Sequence, residues 1–150
     1  MTQPAPAADL PALDLAAARR TLDAQPFSRL LGARITAFGD GGATLELDVR
    51  EELQQQNGHL HGGVVSYAAD NAITFAAGTA LGPAVLTGGF SIQYVRPARG
   101  RVLVARAEVV HSGRRQAVVR CDLVTVDEAG AERVCAVAQG TVLSAGAAQG

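Results

Sequence analysis

Hydrophobic and polar positions change period several times along the chain. Residues 12–24 (ALDLAAARRTLDA) space their apolar side chains at helical intervals and predict an amphipathic helix. Pro26 opens a second short helical turn that runs through Leu31 and ends at Gly32. Leu45, Leu47 and Val49 then alternate with Thr44, Glu46, Asp48 and Arg50, the period-two pattern of a strand with one buried face. A partner strand is expected at 33–38, because GDGG at 39–42 is a strong hairpin turn. Residues 51–61 (EELQQQNGHLH) read as a polar loop. From Gly62 to Leu81, small apolar residues with few β-branched ones predict a helix that stops at Gly82-Pro83. Four strand-like runs follow at 84–96, 101–112, 115–127 and 133–143, and they read as a meander.

Two strands, one long helix and a further run of strands point to an α+β fold with an antiparallel sheet rather than to βαβ alternation. The 62–81 helix carries Val64, Val65, Tyr67, Ala68, Ala69, Ala72, Ile73, Phe75, Ala76 and Ala77, and is apolar on most sides. Such a helix is expected to be enclosed by the sheet rather than laid on its surface. An antiparallel β-sheet wrapped around one long central helix, with short N-terminal helices, is the hotdog architecture. Residues 1–10 (MTQPAPAADL) and 145–150 are expected to be flexible termini around a single domain at 11–144.

Composition narrows the partners. A chain of 150 residues suits one domain, and 48% hydrophobic residues supply a core. No apolar run is long enough to span a bilayer, the N-terminus has no signal-peptide core, and two cysteines do not make a disulfide scaffold. A soluble, cytoplasmic protein is expected. A net charge of −1, 4% aromatic residues and no Trp give neither a basic field nor a stacking platform, so neither nucleic acid nor membrane is an expected partner. The charge is nonetheless uneven: residues 96–120 hold 7 Arg and 1 acid, whereas residues 1–95 hold 5 Arg and 9 acids.

Between Glu52 and Arg96 the only charged side chain is Asp70, near the middle of the apolar helix and one turn from both Ser66 and Thr74. Asp is a poor helix-interior residue, and burying it unpaired is costly. Either Ser66, Thr74 or a backbone N–H satisfies it structurally, or it is a functional carboxylate. The second reading is the stronger one. At the start of the same helix stands His61-Gly62-Gly63. The first N–H groups of a helix lack internal partners, glycines permit close approach, and the helix dipole favours negative charge there. That combination describes an oxyanion hole, although an ordinary glycine-rich turn has the same sequence. Eight residues separate Gly62 from Asp70, which is about 12 Å of rise and about 80° of azimuth. The two can serve one reaction centre only if a two-fold dimer sets the helix start of one subunit beside Asp70 of the other.

The stretch 54–77, QQQNGHLHGGVVSYAADNAITFAA, together with PFSRLLGARI before it and QYVRPARG after it, resembles the hotdog-fold acyl-CoA thioesterases. The similarity is greatest to the PaaI-like (phenylacetate-degradation) and 4-hydroxybenzoyl-CoA thioesterase groups. The resemblance implies hydrolysis of an acyl- or aryl-CoA thioester to free acid and coenzyme A. It makes Asp70 the catalytic carboxylate, as nucleophile or general base, and the Gly62 N–H the group that polarises the carbonyl. Gln55 matches a loop amide that orients substrate or water, with Gln54, Gln56 and Asn57 as neighbouring amides. Thr74 matches a water-positioning hydroxyl in one branch, and Thr87 a Ser or Thr used in another. His61 and Gly63 complete the motif at the helix start. No cofactor is implied, coenzyme A being part of the substrate, and the expected assembly is a homodimer or homotetramer.

His61 more naturally caps the helix than acts as a base, and His59 and His61 with Asp70 do not form a convincing metal site. Cys121 and Cys135 flank the turn near 128–131; pairing about it sets Cys121 opposite about Ala138, roughly 10 Å along the strand from Cys135 and too far for a disulfide. His111 reads as a strand-end residue. Arg96, Arg99, Arg101 and Arg114, with Arg115 beside it, lie at loops where guanidinium groups suit the phosphates of coenzyme A, or simply form a solvated basic face. A non-catalytic acyl-CoA sensor is the alternative to an enzyme, but a binder has no need of a carboxylate in an apolar helix. A hotdog hydratase lacks its His/Asp motif here.

Overall fold

The structure, a computed structural model, describes residues 13–145, so of the termini 1–10 and 145–150 read above as flexible, all but Ala145 lie outside the described residues. Helix α1 spans Leu15–Asp23 and is capped by Asp14, whose Oδ1 accepts from the Ala17 N–H at 2.8 Å. Helix α2, Pro26–Leu31, ends at Gly32 with φ of +73°, the left-handed conformation that glycine adopts without penalty. Strand β1 (Arg34–Gly39) turns into β2 (Gly42–Asp48) through Asp40 and Gly41, both at positive φ (51° and 81°), the signature of a type I′ hairpin. A short 3₁₀ turn at Glu51–Leu53 opens the polar loop, and α3 then runs from Gly62 to Leu81. Strands β3 (Val85–Tyr94), β4 (Val102–Ser112), β5 (Gln116–Val126) and β6 (Glu132–Ser144) complete the chain.

All six strands form one antiparallel sheet in the order β1-β2-β4-β5-β6-β3. The last four strands are therefore not the simple meander expected from their spacing. Strands β4, β5 and β6 do follow one another, but β3 pairs with β6 at the far edge, and β4 docks on β2. The connection from β3 to β4 explains the difference. It is not a tight hairpin: it crosses the start of α3, where buried Ala98 accepts the Leu60 N–H through its carbonyl at 3.0 Å.

Helix α3 lies in the concave face of this sheet, touching all six strands. Its inner residues are small: Ala68, Ala69, Ala72, Ala76 and Ala77 are fully buried, with Ile73 the one large side chain of zero exposure. Short side chains let a curved sheet close on the helix at near-crystalline density. Gly140 on β6 marks a tight point between β6, β3 and the helix. A Cβ on Gly140 would stand 2.8 Å from Phe90 Cβ on β3 and 3.0 Å from the Gly89 carbonyl oxygen, with Ile73 at 3.4 Å beyond. Gly140→Ala is accordingly expected to destabilise the fold by about 1–3 kcal/mol through overpacking. Urea unfolding at matched protein concentration checks this, and an unchanged midpoint would show that the sheet has room to relax.

Candidate active site

Three polar residues of α3, Ser66, Asp70 and Thr74, follow one another at intervals of one turn and form a stripe beside the edge strand β3. The stripe binds β3 at both ends. At the β3 start, Thr87 Oγ1 donates to Asp70 Oδ1 at 2.6 Å and lies 2.8 Å from Thr74 Oγ1. Thr74 Oγ1 stands 2.8 Å from the Asp70 carbonyl oxygen and 3.5 Å from its Oδ1. A hydroxyl has one proton, so with Thr87 donating to the carboxylate, Thr74 supplies any bond between the two threonines. Ser66, a sequence-level candidate partner for Asp70, turns instead to Tyr94 Oη at 3.2 Å. The half-buried Asp70 carboxylate opens on a cleft of about 290 Å³ lined by Phe38, Phe75, Val85 and Leu86, with Thr21, Gln25 and Asn71 as further polar groups. Among the described residues it is the one charged side chain in that lining.

The helix start faces a different cleft, of about 650 Å³, lined by Gln55, His59, His61, Gly62, Gly63, Tyr94, Arg96 and Cys135 among others. His61 is the N-cap of α3: its Nδ1 accepts the Gly63 N–H at 2.8 Å, and its carbonyl accepts the Val64 N–H at 2.9 Å. The Gly63 N–H is thus engaged within the chain. The Gly62 N–H, first of the helix, has no intrahelical acceptor and sits at the positive end of a twenty-residue dipole. Gln55 Oε1 accepts the Asn57 N–H, which turns its Nε2 toward His59 Nε2 at 2.9 Å. An amide nitrogen has two protons, so one remains to face the cleft. His59 Nδ1 finds no partner among the described residues.

These residues sit in one fold context shared with known proteins. Residues 57–132, about half of the chain, match the profile of the Thioesterase superfamily. The chain belongs to the thioesterase superfamily. It superposes on a thioesterase family protein from Silicibacter pomeroyi with a TM-score of 0.78 and 34% identity, over 84% of this chain and 93% of that one. The acyl-coenzyme A thioesterase PaaI of Escherichia coli is 28% identical over 98 residues, which is 65% of this chain and 69% of that protein. The 1,4-dihydroxy-2-naphthoyl-CoA hydrolase of Listeria monocytogenes is 29% identical over 86 residues, 56% of this chain and 70% of that one. The reaction class of this superfamily member is thioester hydrolysis.

Within one chain of the thioesterase, the candidate residues fall into two groups. Asp70, Thr74 and Thr87 share the first cleft; Gln55, His61, Gly62, Gly63 and Arg96 share the second. Asn57 is exposed and contributes to Gln55 through its backbone. Arg96 and Arg99 also line a neighbouring recess of about 250 Å³, with Arg133, a residue that sequence reasoning did not single out. Arg101 is exposed at the base of β4, and Arg114 lies on the β4–β5 turn, at the opposite end of the sheet from Arg96. Tyr94 was legible only as part of a motif. Its alternation with Phe90 and Ile92 on β3 is the signal that it faces the helix.

No metal-holding cluster of His, Cys, Asp or Glu occurs among the described residues. Cys121 pairs in register with Ala138, as the turn geometry implies, and both cysteines are free and buried. Burial pushes the Cys121 thiol up to about 12, with Asp122 adding to the shift. Burial likewise raises Cys135 to about 11, although it lines the helix-start cleft and Arg96 partly offsets the effect. At pH 8 roughly one thiol in a thousand of a group near 11 is ionised, so neither is a nucleophile. Iodoacetamide is therefore expected to leave both untouched in the folded enzyme and to modify both in denaturant. Rapid labelling of the native protein would contradict this assignment.

Proposed function

We propose that this enzyme hydrolyses an acyl- or aryl-CoA thioester to the free acid and coenzyme A, in a site built from two copies of the chain. One observation carries the reading: the carboxylate and the helix-start N–H, unpartnered among the described residues, open on separate clefts of the same helix. Each is half of an acyl-transfer site. In the joined site, the Gly62 N–H of one subunit donates to the thioester oxygen and stabilises the charge that develops there, aided by the helix dipole. Asp70 of the partner subunit then either takes a proton from the attacking water or attacks the carbonyl carbon itself, giving an anhydride that water opens. Both routes break the C–S bond, release the coenzyme A thiolate to be protonated, and use only water and the chain's own groups. Thr87 and Thr74 orient the carboxylate, and the free Gln55 N–H helps hold the thioester.

The edge strand supports the pairing. Among the described residues, strand β3 has one unpaired side, and it carries exposed Leu86, Tyr94 and Val95 along or just beyond it. An antiparallel β3–β3 contact with its two-fold axis near Phe90 and Ser91 sets Thr87 of one chain across from Tyr94 of the other. That arrangement brings Asp70 to the helix start of its partner. The Arg96, Arg99 and Arg133 recess adjoins the helix-start cleft and suits the phosphates of coenzyme A. Arg101, at the end of the same β3–β4 connection, and Arg114, on the β4–β5 turn, add further positive charge. Free, buried cysteines accord with a reducing cytoplasm as the working compartment.

Asp70→Asn is expected to fold normally and to lose at least about two orders of magnitude in turnover of an acyl-CoA panel read by thiol release. Near-wild-type turnover in folded protein would refute the mechanism, whereas undiminished binding by a wild type that turns over no substrate would indicate a sensor. Mixing Asp70→Asn with Gly62→Pro, which removes the N–H at a position where proline is tolerated, tests the shared site. Random exchange gives half heterodimers, each with one intact site of two, so recovery should approach about a quarter of wild type. Demonstrated heterodimers without recovery would put both groups of a site in one chain.

A further inference from the structure

We infer that Tyr94 is a positioning residue for thioester hydrolysis: its hydroxyl, together with His61, clamps the Gly62–Gly63 peptide and so fixes where the Gly62 N–H points. The inference rests on the proposed role of that N–H. Tyr94 Oη donates to the Gly62 carbonyl oxygen at 2.9 Å, and because its single proton is spent there, Ser66 Oγ donates to it at 3.2 Å. His61 Nδ1 accepts the Gly63 N–H at 2.8 Å. The carbonyl and the N–H belong to one peptide unit, which is therefore held at both ends by two side chains from different elements. The preceding peptide, which carries the Gly62 N–H, is held through the His61 carbonyl, which accepts from Val64 at 2.9 Å, and the peptide before that is held where the His61 N–H donates to the Leu53 carbonyl at 2.9 Å.

Gly62 needs this. Glycine has no Cβ to restrict its dihedrals, so at a helix start its N–H direction is set by whatever holds the peptides on either side. An oxyanion donor works only if it is aimed beforehand at the position the charge will occupy, and small misplacements cost rate steeply. The tyrosine ring packs directly beside the glycine: a Cβ on Gly62 would stand in ordinary van der Waals contact with it, 3.4 Å from Tyr94 Oη. The clamp spans α3 and the final residue of the edge strand β3, so it ties the geometry of the oxyanion donor to the strand that the proposed dimer uses.

The test is steady-state kinetics of Tyr94→Phe, which deletes one hydroxyl and keeps the ring. The expectation is a fall in kcat of roughly 3–10-fold, the scale of one neutral hydrogen bond, with KM within about twofold and the melting temperature little changed. His61→Ala should lower kcat similarly, and His61→Asn, which restores an N-cap acceptor, should recover most of that loss. Unchanged kcat in Tyr94→Phe, or a raised KM at full kcat, would overturn the clamp, as would a His61→Asn variant no better than His61→Ala. Asp70→Asn measured in the same series separates the two layers. If it is inactive while Tyr94→Phe is fully active, only the clamp fails; if it retains turnover, the catalytic reading beneath the clamp fails with it.

Discussion

The burial of α3 inside a curved sheet is the constraint from which the rest of the structure follows. A helix touching six strands can be enclosed only if its side chains are short, and five of its alanines have no exposed surface. Close packing of this kind makes the helix a rigid rod whose two features of chemical interest, its free N-terminus and its single carboxylate, cannot shift independently of the sheet. The fold thereby does the work of pre-organisation. A donor or carboxylate carried on a loop would need ordering at each turnover, whereas here the backbone already holds both.

The same enclosure leaves the side of the helix next to the edge strand open to a stripe of polar groups. Ser66, Asp70 and Thr74 occupy it, and β3 answers with Tyr94 at one end and Thr87 at the other. Thr87 and Tyr94 join this seam to the edge strand, so the strand at the boundary of the sheet also orients the candidate chemistry. A donor at one end and an acceptor at the other, separated by about two turns of helix, is a geometry that a single chain cannot fold onto one substrate. The proposed two-fold dimer is the arrangement that joins the two ends in one site.

How much of this was legible beforehand depended on whether the physical cause is local. The helix from Gly62 to Leu81 matches its expected limits because a small-residue run, a glycine-rich start and a Gly-Pro stop all act within the segment. The β1–β2 hairpin followed from Asp40-Gly41 for the same reason, and the offset of the two cysteines from the position of a turn. Asp70 stood out because the chemistry of a charge in an apolar helix is a statement about one residue and its neighbours.

Pairing order and cross-element bonds had no such local cause. Whether β3 lies beside β4 or β6 is decided by how the β3–β4 connection crosses the start of α3, a contact between Ala98 and Leu60 that sequence spacing does not encode. Thr87 rather than Ser66 as the partner of Asp70, and Tyr94 on the Gly62 carbonyl, join residues 17 and 32 positions apart. Sequence by itself determined which elements form and which residue is chemically out of place, because propensity and desolvation act at short range. The tertiary structure alone decided which hydroxyl meets which oxygen, because a hydrogen bond depends on distances of a few tenths of an ångström that only the packed sheet sets.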